Sequence, residues 1–490
     1  MIGPLSERDI TQFFGRTVEI VNEPLREPPF TELGLRWREL GLRPGDLVLL
    51  ALPSSVALLQ HFFGVLAAGG VPAMLAPGAP AARLREMAKV MGARVVATVR
   101  LPNGLRPGST DAGGDGGGLP VRLEQVGGLE TAWYAPEGVP AANPGEVVLL
   151  TSGTSGTASG CVTSIEAMLR NGARHADAVG QRPEDCVLIN LPLYFSFALV
   201  AQALGSLGRG NRLVIGGPPF NHVGYARTLA EHGVTVSALT PIQARTLLQH
   251  KTALPASLRV LSIGGDSLAP PHVAELLQLR PGAELYLTYG LTQAGPRVAT
   301  LAAHNATPAR YASVGLPLPG TRVWLDDVGD GSGRRELLVW ADTLMRRRIG
   351  LVEGRRSNDF RPIPVAGSAT DLPPDSLALA TGDVFDQDSE GYLFYRGRLS
   401  HSLLRAGEKI SLATVQRLAT QLPAVISAKT RVTSTEDGED FDLVLVVANV
   451  PARQSAEQYR TLLAHSIRRA ELPRSIEVVV DDASQALGYK

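Results

Sequence analysis

Hydrophobic residues in the middle of this chain fall into short runs that alternate with amphipathic stretches. Short apolar runs indicate buried strands, and apolar residues spaced three and four apart indicate helices. Strand and helix alternate at a spacing that predicts a mostly parallel sheet with helices on both faces. The predicted strands are 187–190, 212–215, 234–239, 259–263 and 284–288, and the helices between them include 224–232 and 241–248.

The remaining pattern divides the chain into further parts. Residues 103–128, with GGDGGG at their centre, predict a mobile surface loop. Residues 314–339 are rich in strand-forming residues. We expect an α/β fold: a large N-terminal domain, 1–399, of doubly wound mostly parallel sheets plus a β-rich subdomain, then a small mobile α+β C-terminal domain, 400–490. Further predicted helices are 30–40, 54–68, 81–91, 163–179, 412–421 and 455–469, and further strands are 45–52, 94–99, 442–448 and 476–480.

One stretch carries a candidate chemistry: VVLLTSGTSGTASGCV, residues 147–162. Residues 147–150 predict a buried strand. The Thr, Ser and Gly residues that follow offer hydroxyls and accessible backbone N–H groups, which suit a polyphosphate. A flexible Ser/Gly linker is the alternative, although linkers rarely follow directly on an apolar strand. A Walker A site is excluded because the chain has no Gly-Lys pair.

Composition narrows the function classes. Lys and Arg total 47, and Asp and Glu total 47, so no basic excess favours nucleic acid as a partner. The two cysteines allow at most one disulfide, and no CxxC or HExxH metal pattern occurs. The N-terminus does not resemble a signal peptide, and the apolar region 58–82 is interrupted by polar residues, Gly and Pro. We therefore expect reduced cysteines, no membrane span and a cytoplasmic protein.

The loop at 151–160, TSGTSGTASG, resembles the phosphate loop TSGTTGxPKG of the adenylate-forming superfamily, which contains acyl- and aryl-CoA ligases, peptide-synthetase adenylation domains and luciferases. Ala158 and Ser159 stand where that family usually has Pro and Lys. Ser155 replaces a Thr. The resemblance implies that the ATP phosphates are bound by Thr151, Ser152, Gly153, Thr154, Ser155 and Gly156.

The segment YGLTQAG at 289–295 resembles the family's YGxTE motif. The resemblance implies that Tyr289 stacks on adenine, that Gly290 lies in the nucleotide site and that Thr292 contacts phosphate. Gln293 takes the position of a glutamate that helps to hold magnesium. An amide can coordinate a cation but brings no charge, so we expect weaker metal binding. Thr292 and Gln293 are also candidate catalytic residues.

Two further segments match the family's pocket motifs. SIGGDSL at 262–268 resembles the glycine-rich segment beside adenine and the acyl group, which implies Gly265 and Asp266 for nucleotide and Gly264 for substrate. LPLYFSFAL at 191–199 resembles LPLFHxxGL, with Phe195 at the usual His position. Phe195 and Phe197 could be core residues, but paired aromatics beside a polar loop suit an aryl or apolar acyl pocket. Leu291 completes the predicted pocket.

TGDVFDQDSEGYLFYRGR at 381–398 resembles the family's ribose-binding segment. A buried carboxylate beside a Gly turn suits vicinal ribose hydroxyls, and the resemblance implies this role for Asp383, with a supporting nucleotide contact from Arg398. The family ends in Gly-Lys, whose lysine reaches the forming acyl phosphate. Here Tyr489 follows Gly488, and Lys490 comes one place late as the candidate catalytic lysine.

Together these matches imply ATP- and magnesium-dependent activation of a small carboxylic acid as acyl-AMP, with release of pyrophosphate. Coenzyme A, a phosphopantetheinyl carrier-protein thiol or an amine would then accept the acyl group. The alternative is a weakened or inactive relative that binds nucleotide or acyl groups, or is a structural partner in a biosynthetic complex. An acyl carrier protein and a second copy of the chain, as a homodimer, remain open as partners.

Overall fold

The computed structural model describes most of the chain as a series of separate ranges. Every helix, strand and side-chain contact reported for the fold lies within these ranges, and the phosphate-loop residues 152–158 and the C-terminal residues 482–490 lie outside them. The described residues are 6–20, 24–106, 120–135, 142–151, 159–216, 219–329, 333–350, 359–363, 372, 376–399, 402–405, 408–435, 438–448, 454–467 and 471–481.

Helices and strands are numbered in chain order. The helices are α1 Glu7–Gly15, α2 Phe30–Glu39, α3 Val56–Ala67, α4 Ala81–Met91, α5 Ile165–Ala178, α6 Gly205–Arg209, α7 His222–Glu231, α8 Pro241–Gln249, α9 Pro270–Leu279, α10 Leu412–Ala419 and α11 Ala456–Ala464. The strands are β1 Thr17–Glu19, β2 Leu47–Ala51, β3 Val71–Leu75, β4 Ala93–Thr98, β5 Arg122–Val126, β6 Leu129–Trp133, β7 Glu146–Thr151, β8 Ser159–Ser164, β9 Cys186–Ile189, β10 Arg212–Ile215, β11 Val236–Leu239, β12 Val260–Gly264, β13 Glu284–Gly290, β14 Arg297–Ala302, β15 Leu316–Pro317, β16 Thr321–Asp327, β17 Arg335–Ala341, β18 Arg347–Ile349, β19 Phe360–Pro362, β20 Leu377–Gln387, β21 Leu393–Arg398, β22 Ser402–Arg405, β23 Glu408–Ser411, β24 Val425–Thr435, β25 Gly438–Ala448 and β26 Ile476–Asp481.

The first large sheet has the strand order β5-β6-β4-β2-β3-β7-β8-β18. Its centre, from β4 to β7, is parallel, and its outer pairs are antiparallel. Strands β2 and β3 are buried at every position, because helices α3 and α4 link the parallel strands and add apolar residues to the core. The predicted VVLL strand is β7, which lies in this sheet.

The second large sheet has the order β1-β10-β9-β11-β12-β13-β14-β15. Every neighbouring pair from β1 to β13 is parallel, and the last two pairs are antiparallel. Helices α7, α8 and α9 link successive strands from β10 to β13. The prediction of doubly wound, mostly parallel sheets is confirmed, and ligands in such sheets bind at the carboxyl ends of the strands.

A third sheet forms the predicted β-rich subdomain. Its strands run in the order β16-β17-β20-β19, and β21 pairs with β20. The described residues from Ser402 onward include two smaller sheets, β22-β23 and β24-β25-β26, and a separate core around Phe441 and Tyr459. Arg245 of α8 donates from Nε to the carbonyl oxygen of Ile426 at 2.8 Å. The division at residues 399 and 400 stays a prediction.

The interpretation of 103–128 as one mobile loop is wrong at its C-terminal end. Residues 122–126 form β5, which pairs with β6 through a two-residue Gly127-Gly128 turn. Gly127 has φ +58°, a conformation that glycine adopts without steric cost and that favours tight hairpins. The glycine-rich composition before this hairpin concealed it, because a hairpin is defined by its partner strand.

The helix predicted at 163–179 begins later than expected. Residues 159–164 form β8, and α5 begins at Ile165 with the Ser164 side chain accepting from the Ala167 N–H. Strand β8 is held between β7 and β18, so pairing with distant segments decides its conformation. Both cysteines are free thiols, as expected. Of the helices in the described ranges, none combines the length and apolarity needed to cross a membrane.

Candidate active site

Strands β12 and β13 bring two of the predicted site segments together. They are parallel neighbours, and Gly264 at the end of β12 lies opposite Thr288 of β13. The loops that follow hold Gly265 and Asp266 on one side and Leu291 and Thr292 on the other. The parallel register therefore places both segments at one edge of the second sheet.

Asp383 lies where the third sheet meets this edge. Its side chain is buried, with 2% of the residue exposed. The Tyr289 hydroxyl donates to Oδ2 at 2.7 Å, and the Arg398 Nε donates to Oδ1 at 2.6 Å. Arg398 lies directly opposite Asp383 in the β20-β21 pair, so the hairpin itself sets that contact. Tyr289 and Arg398, which were predicted to bind nucleotide from two different segments, thus both contact Asp383.

The Tyr289 ring packs against neighbouring aromatic rings. Its centroid lies 4.8 Å from that of Phe385, which lies 5.5 Å from the Tyr395 ring. Burial, together with the negative charge of Asp383, raises the pKa of Tyr289 well above its ordinary value. Tyr289 therefore stays protonated at neutral pH and acts as a hydrogen-bond donor that orients the carboxylate.

The Asp383 carboxylate retains capacity to bind a diol. A carboxylate offers about four acceptor positions, and Tyr289 and Arg398 use one on each oxygen. The remaining positions are those to which vicinal hydroxyls of a ligand would donate. The adenine-stacking role of Tyr289 stays a prediction.

The residues proposed for phosphate and metal lie on a short 3-10 turn, Thr292–Ala294. The Thr292 and Ser196 hydroxyl oxygens are 3.2 Å apart, and the Gln293 carbonyl oxygen accepts from the Met345 N–H at 2.8 Å. The side chains of Thr292 and Gln293 offer neutral oxygen atoms as metal ligands. They fit a magnesium ion whose charge is balanced mainly by nucleotide phosphates.

The glycine-rich segment after β12 differs between its two faces. Gly265 has φ +95°, and a Cβ atom there would meet no heavy atom within 4 Å, so its solvent side is open. Asp266 is exposed, and its Oδ1 accepts from the Ser267 N–H at 2.7 Å. Gly264 faces the interior, where a Cβ atom would lie 2.9 Å from the Phe197 ring. The roles of Gly265 and Asp266 in nucleotide binding and of Gly264 in substrate binding stay predictions.

The two predicted pocket phenylalanines have different surroundings. Phe197 begins a π-helical segment, Phe197–Leu204, and its ring lies under the guanidinium of Arg297 at 4.4 Å. Phe195 lies outside that segment, with its ring 4.8 Å from the Tyr194 ring. Leu291 is 7% exposed and packs in the main core. Phe197, Gly264 and Leu291 are thus close to the β12-β13 edge.

The phosphate loop is flanked by paired strands. Thr151 of β7 lies opposite Ser159 of β8, and the predicted residues Ser152, Gly153, Thr154, Ser155 and Gly156 lie outside the described residues. Ser159 stands where the family pattern has lysine. Its hydroxyl accepts from Arg348 Nη1 at 3.2 Å, and Arg348 also pairs with Asp359 at 2.5 Å. A cation from another strand thus reaches the position of the absent lysine.

The candidate catalytic Lys490 also lies outside the described residues. Sequence reasoning missed Arg297, which contacts the predicted pocket residue Phe197, and Arg348, which contacts Ser159 at the end of the phosphate loop. Arg297 directly follows the YGLTQAGP segment, and Arg348 belongs to the run Arg346–Arg348. A search for cations close to the recognised motifs would have found Arg297. The approach of Arg348 to Ser159 depends on the pairing of β18 with β8.

Comparisons with known proteins agree with this arrangement. The sequence profile described as AMP-binding enzyme matches residues 33–346. The 4-coumarate–CoA ligase-like protein 3 of Oryza sativa subsp. japonica is 26% identical over 481 residues, covering 91% of this chain and 78% of that protein. The salicyl-AMP ligase, or salicyl-S-ArCP synthetase, of Mycobacterium tuberculosis is 28% identical over 412 residues, covering 79% and 69%.

Solved structures show the same fold. The o-succinylbenzoate CoA synthetase (MenE) of Bacillus subtilis, in complex with the acyl-adenylate intermediate OSB-AMP, aligns with a TM-score of 0.70 at 18% identity. The alignment covers 92% of this chain and 88% of that chain. The same enzyme with ATP and a magnesium ion aligns with a TM-score of 0.67 at 17% identity, covering 92% and 89%.

Proposed function

The chain belongs to the family of AMP-binding enzymes, and on that premise we propose that it joins a carboxylic acid to the AMP part of ATP. A carboxylate oxygen of the acid attacks the α-phosphorus, the bond to the bridging oxygen breaks, and pyrophosphate leaves. A thiol of coenzyme A or of a carrier protein, or an amine, then attacks the acyl carbon and releases AMP.

The observation that carries this proposal is the contact of Asp383 with both Tyr289 and Arg398. The three residues come from two different sheets, yet their polar atoms meet within 2.7 Å of the same carboxylate. Such a buried, oriented carboxylate is suited to holding vicinal hydroxyls of a ribose. The position fits nucleotide binding because it borders the carboxyl ends of β12 and β13.

The chain's own groups act mainly by positioning and by electrostatic stabilisation. Thr151 and the residues that follow it would donate hydrogen bonds to the phosphates. Thr292, which follows strand β13 of the second sheet, would contact the phosphates as well. Magnesium would neutralise charge on the phosphates near Gln293. Lys490 would bring an ammonium to the oxygen between the acyl group and phosphorus.

Pyrophosphate release with a panel of aryl, short aliphatic and fatty acids tests the proposal. We expect at least one acid to give ATP- and magnesium-dependent release. Hydroxylamine, which traps acyl adenylates as hydroxamates, shows that the acid itself has been activated. Release of pyrophosphate without hydroxamate would contradict acid activation.

A non-catalytic binding protein is the second candidate. It is favoured by the three positions at which the chain departs from the family pattern, namely Ser159, Gln293 and Tyr489. The preserved contact between Asp383 and its two partners argues for retained nucleotide binding in either case. ATP binding without pyrophosphate release for any acid in the panel would support this candidate.

A further inference from the structure

Arg297 is a buried cation without a carboxylate partner among the described residues. The residue is 3% exposed. Its Nη1 donates to the neutral Thr288 hydroxyl at 3.0 Å, whereas its Nε has no acceptor in the described part of the chain. Arg259 and Arg398, by contrast, each form an ion pair with an aspartate. A guanidinium has five N–H donors, so Arg297 keeps most of its binding capacity.

The site around the Arg297 guanidinium is shaped to hold it in place. The Phe197 ring stacks on one side, with its centroid 4.4 Å from Cζ. A Cβ atom on Gly264 would lie 3.1 Å from Nη1, and one on Gly290 would overlap Nη2. Two glycines therefore leave the space that the guanidinium occupies. The surroundings fix its position without neutralising its charge.

The backbone of Arg297 is fixed as well. The Asn171 side chain accepts from the Arg297 N–H at 2.8 Å and donates to its carbonyl oxygen at 3.0 Å. Asn171 is itself buried in α5. Because both the backbone and the guanidinium are held, Arg297 loses little further freedom when a ligand binds, which favours binding.

Arg297 stays charged despite its burial. Burial lowers its pKa to about 10, which is still well above neutral pH. Keeping a buried charge without a counter-ion is costly, and an incoming anion would recover that cost. Guanidinium groups bind carboxylates and related oxyanions through paired hydrogen bonds.

Phe197 also has a histidine neighbour. The His175 ring packs edge-on to Phe197, with centroids 6.2 Å apart. His175 also lines a cavity of about 10 Å³, together with residues that include Val179, Gln202 and Val236. This volume is about that of one water probe. Neither Phe197 nor Arg297 lines this cavity, so it sets no limit on the length of the acid.

We infer that the acid activated by this chain carries a second anionic group, a carboxylate or a sulfonate, that pairs with the Arg297 guanidinium. The inference rests on the proposed acid activation and assigns its substrate class. The two phenylalanines alone favoured an apolar acid, and Arg297 changes that expectation. The remaining carboxylate of the acid would be the one that reacts with ATP.

The test compares acids that differ in charge but little in shape. Succinate and 3-sulfopropionate are compared with 3-nitropropionate, and terephthalate and 4-sulfobenzoate with 4-nitrobenzoate, since a nitro group has the shape of a carboxylate without its charge. In each set, we expect the wild-type kcat/KM for pyrophosphate release to be about ten- to a hundredfold higher with the better of the two dianionic acids than with the nitro acid. The carboxylate and sulfonate members show which anion is preferred.

Arg297→Leu is expected to abolish this preference and to raise KM for the dianionic acid, with KM for ATP unchanged. Arg297→Lys should restore part of it, because lysine keeps the charge but not the paired hydrogen bonds. Arg259→Leu is the matched control. It removes a partly buried arginine that pairs with Asp185 and Glu284, and it should retain the wild-type acid preference.

A binding measurement separates this inference from the proposed catalysis. Calorimetry with each acid in the presence of AMP needs no turnover, and thermal unfolding of the free protein reports on the unpaired charge. We expect Arg297→Leu to unfold at the same temperature as the wild type or higher, while losing the stabilisation by dianionic acids. Arg259→Leu should unfold at a lower temperature because it breaks ion pairs.

Any one of three outcomes would overturn the inference. The first is that the wild type binds and uses nitro and dianionic acids equally. The second is that Arg297→Leu raises KM for ATP and leaves KM for the acids unchanged, which would assign Arg297 to the nucleotide. The third is that Arg297→Leu unfolds at a clearly lower temperature and keeps the acid preference, which would make Arg297 structural. If the protein binds dianionic acids through Arg297 but releases no pyrophosphate, the result supports the inference and contradicts only the proposed catalysis.

Discussion

Asp383 and Arg297 are both buried charged residues near the end of β13, but only Asp383 is paired within the described protein. Asp383 accepts from Tyr289 and Arg398 at 2.7 and 2.6 Å. Arg297 contacts a hydroxyl, an aromatic ring and two glycines. The pairing of Asp383 orients its carboxylate, for which we propose a role in holding the nucleotide ribose. Arg297 has no carboxylate partner among the described residues, and we infer that the ligand supplies its counter-charge.

The comparison also separates general from specific recognition. A carboxylate fixed by two donors can bind any nucleoside diol. A fixed, uncompensated guanidinium discriminates among acids, because an acid without an anionic group leaves the buried charge unpaired. The nucleotide side of the site is therefore expected to resemble that of relatives, and the acid side to differ.

The largest expected effect is that of Asp383→Ala on nucleotide binding. Loss of the carboxylate removes two charge-assisted hydrogen bonds to ribose, and we expect ATP affinity to fall by about 2–4 kcal/mol, roughly thirty- to a thousandfold. Calorimetry measures the affinity, and circular dichroism checks that the fold is kept. Asp386→Ala, which changes an exposed aspartate of the same strand, is the control. Unchanged ATP affinity in Asp383→Ala would remove the ribose assignment.

Lys490 tests whether a further charge completes the nucleotide side. Deleting Lys490 or changing it to Ala should lower adenylation by at least about a hundredfold, the scale seen when one preorganised charge donor is lost. Thioester or amide formation from a supplied acyl adenylate should survive. Assays of both half-reactions on the truncated protein, the wild type and a Lys429→Ala control measure the effect. Equal pyrophosphate release by all three proteins would exclude Lys490.

Protonation of the buried His175 tests whether the region around Arg297 tolerates a second positive charge. Burial, and then the charge of Arg297, lowers the pKa of His175 to about 3. The unfolded chain takes up the proton below about pH 6.5, so the folded protein should lose about 1.4 kcal/mol of stability per pH unit between about pH 6 and pH 4. Stability above about pH 6.5 should not depend on this group.

Denaturant unfolding at several pH values, for the wild type and His175→Gln, measures this contribution. Between about pH 6 and pH 4, the free energy of unfolding of the variant should fall by about 1.4 kcal/mol less per pH unit than that of the wild type. His465→Gln changes an exposed histidine and controls for histidine content. Identical slopes for the wild type and His175→Gln would show that His175 is protonated alike in the folded and unfolded states.

Gln293→Glu is expected to have the smallest effect. The change adds a negative charge on the turn beside Thr292, so the magnesium concentration for half-maximal pyrophosphate release should fall by a few-fold. Gln125→Glu makes the same change at an exposed position of β5 and should leave the titration unchanged. If the two variants show the same magnesium titration, then Gln293 does not face the metal.

The sequence by itself determined most of the order of strands and helices and most of the residues proposed to bind nucleotide. Apolar runs such as Leu47–Ala51 and Val260–Gly264 became buried strands because their pattern is local and strong. Tyr289, Asp383 and Arg398 were each predicted from motifs within single segments. The hairpin at 122–133, which has a two-residue turn, and strand β8 were not predicted, because each depends on pairing with another strand.

Only the tertiary structure decided how the charges are paired. Tyr289 and Asp383 are 94 residues apart, and the sequence gives no sign that the hydroxyl of one orients the carboxylate of the other. Arg297 reads in the sequence as an ordinary strand residue. Its significance comes from burial beside Phe197, Gly264 and Gly290, which belong to three separate elements. Burial and pairing are set by contacts between distant segments, so the buried charge of Arg297 became visible only when those segments came together.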